Sequence, residues 1–95
     1  MKNAELQPLL EKSSCLEDSE SARDIYEWIR DAANAANTPS MAQRVCSEVI
    51  TMCHPKAWGD RYVTLFGSDL LAWDNYLGEL ADVATNCGHK IFENH

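Results

Sequence analysis

The sequence predicts an all-α fold, a compact single-domain helical bundle of four to five helices at approximately 4–12, 20–36, 39–53, 60–66 and 69–87. Three observations predict it. Apolar residues recur three and four apart through most of the chain, the period of an amphipathic helix. Capping and breaking residues fall at the borders of those runs. The one stretch whose residue types suit a strand, 62–66, has no second strand to pair with, and an isolated strand is not stable.

In the first segment Leu6, Leu9 and Leu10 share a face, with Pro8 placed in the first turn and Ser13-Ser14 as a break. In the second, Ala22, Ile25, Ile29, Ala32, Ala33 and Ala36 face one way. Arg23, Asp24, Glu27, Arg30, Asp31 and Asn34 face the other, and Tyr26 and Trp28 flank the apolar side. Asp18 or Ser19 is its expected N-cap. Thr38 caps the third helix with Pro39 in its first position, and His54-Pro55 stops it. A short helix over 60–66 is closed by Gly67. Ser68 caps the last helix, whose apolar face runs from Leu70 through Trp73, Tyr76, Leu77, Leu80, Ala81 and Ala84 to Cys87. Gly88 is the expected stop, with Ile91 and Phe92 docking as a tail.

Ninety-five residues with 45% apolar content suffice for one core without metal or disulfide staples. No stretch reaches the roughly 20 apolar residues of a membrane span, and the N-terminus has no hydrophobic signal region, so the expected location is the cytoplasm. Cys15, Cys46, Cys53 and Cys87 are then expected as reduced thiols, mostly in the core. The net charge of −7 opposes direct binding to nucleic acid or to an anionic membrane. It suits docking on a basic surface of another protein, although an acid surplus also simply keeps a small protein soluble.

Few residues ask for chemistry. Cys53, His54, Cys87 and His89 would approach a tetrahedral zinc shell if two helix ends met, but no Cys-x-x-Cys or His-x-x-x-His spacing supports it. There is no nucleophile elbow, no metalloprotease motif and no phosphate-binding glycine loop. Gly67-Ser68-Asp69-Leu70 resembles the helix start of acyl carrier proteins over four residues. The serine there follows an aspartate, whereas Ser68 precedes Asp69, and Ser68 reads as a helix cap. The sequence therefore predicts no catalytic residue, no cofactor and no metal.

What remains is partner binding. The acids Asp24, Glu27 and Asp31 continue a run that begins at Glu17, Asp18 and Glu20, with Arg23 and Arg30 each placed to pair with Glu27. Glu79 and Asp82 form a smaller patch. Leu71 lies off its helix's apolar face, and Trp58 and Arg61 sit in a polar loop, where the alternative is that Trp58 folds back onto the bundle. The expected function is a small acidic protein-binding module that inhibits a larger basic partner. That partner would be a nucleic-acid-processing host complex, met by a phage or mobile-element anti-defence protein, or a toxin met by its immunity protein. The alternatives are a homodimeric structural or adaptor subunit, using the alanine-rich second helix and Leu71, and a zinc- or thiol-linked regulatory protein.

Overall fold

The computed structural model describes residues 4–61, 63 and 70–94, with only the backbone for 70 and 94. Among the described residues there are four α-helices and no strand: α1 (Gln7–Ser13), α2 (Arg23–Ala35), α3 (Pro39–Met52) and α4 (Leu70–Asn94). Three short 3₁₀ stretches, Ala4–Leu6, Ser14–Asp18 and Trp58–Asp60, accompany them. The all-α bundle is thus the architecture observed. The molecule measures 42 × 20 × 18 Å, and α4, at 25 residues or about 37 Å, runs nearly its whole length.

One periodic seam organises the core. Trp73, Leu77, Leu80, Ala84, Cys87 and Ile91 on α4 are all buried, at alternating steps of four and three. Ala42, Val45, Cys46 and Val49 form the facing row of α3. Alanine, cysteine and glycine in these rows let the two backbones approach: an ideal Cβ on Gly88 would lie 3.7 Å from Cys46 Cβ. Gly88 therefore does not end the helix, as its type suggested. Burying Ile91 one turn later offsets the low helix propensity of glycine, since a fully buried isoleucine contributes about 1.5–3 kcal/mol against about 1 kcal/mol for glycine in a helix. The expected tail is helical, and of its two large residues only Ile91 docks; Phe92 is 76% exposed.

α1, α2 and the 3₁₀ stretches beside α1 add Leu6, Leu9, Leu16, Ile25, Ile29 and Ala33 to the core, with Ala36 just past α2. The chain does not break at Ser13-Ser14 but tightens into a 3₁₀ stretch. Ser13 is buried there, its hydroxyl donating to the Leu10 carbonyl at 3.2 Å. The N-terminus of α2 also differs from expectation. Its N-cap is Ala22, with no side-chain cap, and Ser19 serves through its backbone carbonyl, which accepts from Ala22 N–H at 3.2 Å and Arg23 N–H at 2.7 Å. α3 follows its expected chemistry: Thr38 Oγ1 accepts from Met41 N–H at 3.1 Å, and Pro39 occupies the first turn.

The expected helix over 60–66 falls largely outside the described residues, as do the caps Gly67 and Ser68. Where it is described, the expectation is corrected. A 3₁₀ turn ends at Asp60, and Arg61 is extended (φ −82°, ψ 148°).

Candidate functional site

The outer side of α2 and the turn before it carry the densest exposed acid in the described chain. Glu17, Asp18 and Glu20 are exposed ahead of the helix, and Asp24, Glu27 and Asp31 follow on its outer face. Steps of three and four put the last three on one stripe. Two of them are engaged within the molecule. Arg61 donates from both terminal nitrogens to the two Asp24 oxygens, each at 2.7 Å, and to the Ser21 carbonyl at 3.3 Å. This fork pins the Trp58–Arg61 loop to the start of α2. The Arg61 hydrogen bonds hold the Asp24 carboxyl below its ordinary pKa, against a smaller opposing effect of burial. The same contact raises Arg61.

The basic residues of α2 do not pair with Glu27, as their spacing suggested. Arg23 Nε donates to the Glu17 carbonyl at 2.9 Å. Arg30 turns to Asp31, with both Nε and Nη2 at 3.1 Å, and lies 6.0 Å from the Tyr26 ring centre. The acids on this side that form no ion pair among the described residues are Glu17, Asp18, Glu20 and Glu27.

Of the two readings of Trp58, the structure shows the one in which it folds back onto the bundle: it is only 5% exposed and is no surface anchor. Its carbonyl accepts from the Trp73 indole N–H at 2.9 Å. Its ring meets Trp28 edge-to-face, with centroids 5.8 Å apart at 79°. The aromatic that reaches solvent on this side is Trp28, 37% exposed, beside a shallow hollow of about 250 Å³ shared with Ser47, Glu48, Thr51 and Met52. Helical spacing marked Trp28 as flanking the apolar face. Packing, not helical spacing, decides that Trp58 takes the interior place and Trp28 the rim.

The second acidic patch is also divided. Glu79 accepts from Lys12 Nζ at 2.6 Å and so clamps α1 to α4. Lys12 further lies 5.2 Å from the Tyr76 ring, whose hydroxyl donates to the Lys12 carbonyl at 2.7 Å. Burial is the main cause that pushes the Tyr76 phenol far above its ordinary pKa. Asp82 is exposed. Leu71 is 70% exposed, off the core face as expected. At the end of α2, Ala33 and the C-cap Ala36 are buried and Ala32 is half-buried, while Ala35 is exposed.

Cys53, His54, Cys87 and His89 do not come together. α3 and α4 run antiparallel, so Cys53 and His54 lie near Leu77 and Gly78 at one end, while His89 lies near Cys46 and Phe92 at the other. Among the described residues, no group of three or more His, Cys, Asp or Glu side chains is placed to hold a metal ion. All four cysteines are thiols. Burial raises the Cys46 and Cys53 thiols to about 11 and pushes Cys87 upward too. Cys15 is exposed. No described helix is long and apolar enough to cross a membrane.

No protein-family model, curated protein or solved structure matches the chain.

Proposed function

We propose that this protein is a binding module, not an enzyme, and that it inhibits a larger protein by docking the acidic side of α2 on that partner's basic surface. The observation that carries the reading is the run of exposed carboxylates at Glu17, Asp18, Glu20 and Glu27, with the half-exposed Trp28 at the edge of the same helix as Glu27. Acids supply long-range attraction to a basic patch and can raise association rates by about 10–1000-fold. An exposed tryptophan supplies the apolar anchor that interfaces concentrate their affinity on. The net charge of −7 acts in the same direction. A basic surface that normally holds nucleic acid is the natural target, so the partner class is a host nucleic-acid-processing complex opposed by a mobile element, or a toxin opposed by its immunity protein.

The test is affinity capture with the whole chain and with a Glu17→Lys, Glu20→Lys, Glu27→Lys variant. Asp24 is left intact because it anchors Arg61. The expected result is capture of a basic protein by the parent chain, loss of capture by the variant at unchanged helicity, and weakening as salt rises. Equal capture by both chains would sink the proposal.

A further inference from the structure

The hollow of about 250 Å³ beside Trp28 lies between α2 and α3, and its other borders are Ser47, Glu48, Thr51 and Met52. Helical spacing builds its α3 side. Ser47 with Thr51, and Glu48 with Met52, are each four residues apart, so two adjacent rows of α3 border the hollow. The Thr51 hydroxyl donates to the Ser47 carbonyl at 3.0 Å and is satisfied there. Met52, half-buried, and the Trp28 ring supply apolar surface. Glu48 is the one charged side chain on the border. Trp28 and Trp58 meet edge-to-face at 79°, a contact that covers at most one face of the Trp28 ring. Other depressions differ in charge. The one of about 580 Å³ beside Gly78, between α3 and α4, is bordered by Lys56 and His54 and by no carboxylate. The groove of about 520 Å³ between α1 and α2 sets Glu11 against Arg30.

We propose that the α2–α3 hollow receives one arginine side chain of the basic partner, a step that rests on the docking proposed above. The methylene stem lies along Met52 and Thr51, and the guanidinium reaches both the Trp28 ring and the Glu48 carboxylate. Each part of the border answers a part of that side chain. Arginine covers apolar surface with its stem while its head stays near water. Tryptophan is the best aromatic partner for a cation, and arginine is the cation most often found there. A planar guanidinium stacks on a ring and offers a carboxylate two N–H donors, whereas an ammonium is a strongly hydrated point charge. The volume suits a single side chain, since small-molecule sites run to about 300–1,000 Å³. An acidic occupant would be opposed by Glu48 and by the net charge of −7. An aliphatic occupant would strip water from Glu48 without supplying a partner. In the free chain Arg44 Nε donates to Glu48 Oε1 at 3.1 Å. The Arg44 side chain is 81% exposed, so solvent weakens this pair, and the incoming arginine competes with Arg44 for Glu48.

The test needs no partner. The isotope-labelled full chain is titrated at constant ionic strength with acetyl-Gly-Arg-Gly-amide and with its lysine and citrulline counterparts. The Trp28 indole N–H and the Ser47 and Thr51 amides are followed by NMR. Citrulline has the shape of arginine without its charge. The arginine peptide should give saturable shifts at these positions, with lysine binding at least about threefold more weakly and citrulline at least about tenfold. Glu48→Gln keeps the shape of the border and should weaken arginine binding by at least about threefold. Trp28→Leu should weaken it by at least about tenfold, read at Ser47 and Thr51. Arg44→Ala removes the competitor and should tighten binding by about twofold. Shifts that are absent, that are equal for the arginine and citrulline peptides, or that are indifferent to both Glu48→Gln and Trp28→Leu overturn the proposal. The two readings fail separately. Arginine binding here without capture of any basic protein counts against the docking of α2 alone. Capture that Glu17→Lys, Glu20→Lys, Glu27→Lys abolishes, with no arginine binding here, counts against this hollow alone.

Discussion

α2 and α4 are both amphipathic helices packed on one core, yet they treat solvent in different ways. α2 covers its outer side with carboxylates and arginines, and several of those groups are tied back by the Asp24–Arg61 and Arg30–Asp31 contacts. α4 exposes Leu71, Gly78 and Phe92 interspersed with Asp74, Glu79, Asp82 and Lys90. Both helices bury an apolar inner face in the same core. Charge on an outer face favours encounter with an opposite surface, whereas apolar and small residues favour close contact.

The largest expected effect separates the two faces of α4 itself. Trp73→Ala removes a buried ring that stacks on Tyr76 at 5.7 Å and whose indole satisfies the Trp58 carbonyl. It should cost about 3–5 kcal/mol by urea unfolding, against about 0.5 kcal/mol or less for Phe92→Ser on the outer face of the monomer. Similar costs for the two would break the distinction between core and outer face.

An alkaline shift should be next. Cys46 and Cys53 keep their protons to about pH 11 when folded, but unfolded thiols lose theirs near 8.5. Their contribution to stability is therefore full below about pH 8.5 and is lost as pH rises toward 11. Melting temperature against pH checks this, and a Cys46→Ala, Cys53→Ala chain should show a flatter alkaline limb. Gly78→Ala should stabilise the chain by about 0.5–1 kcal/mol, measured by thermal unfolding, because a Cβ there meets nothing within 4 Å. A loss of stability would mean that the glycine serves the chain's own fold.

The smallest effect sharpens the account of α2. Arg61→Ala should cost about 0.5–1 kcal/mol at neutral pH, because the pair is substantially exposed and solvent screens it. Asp24 has a depressed pKa in the folded state. The stabilisation is therefore present above the ordinary aspartate value near 3.9 and fades as pH falls through the lower folded value. Parent and variant should converge in acid; a gap that persists at pH 2 would contradict an ionic tether.

How much of this was legible in the sequence varied with how local the cause was. α3 was readable at both ends because Thr38, Pro39 and Pro55 act on their immediate neighbours. The start of α2 was less so, because Ser19 works through a backbone carbonyl that any residue could supply. Gly88 misled because its local preference is to stop a helix, while Ile91 and the close approach of Cys46 favour continuing it. The acidic stripe was visible as a pattern. That Arg61 would take Asp24 from 37 residues away, or that Trp58 would be drawn under Trp28 and onto Trp73, depends on tertiary packing that no local spacing records. The depression beside Gly78 likewise exists only once α3 and α4 are side by side.

The central claim is that the charged side of α2 captures a basic partner. It is tested most directly by measuring the affinity of the captured partner for the parent chain and for the Glu17→Lys, Glu20→Lys, Glu27→Lys chain across a salt series. The account predicts that parent affinity falls steadily as screening increases, and that the variant binds too weakly to measure even at low salt. Salt-independent affinity shared by both chains would contradict it.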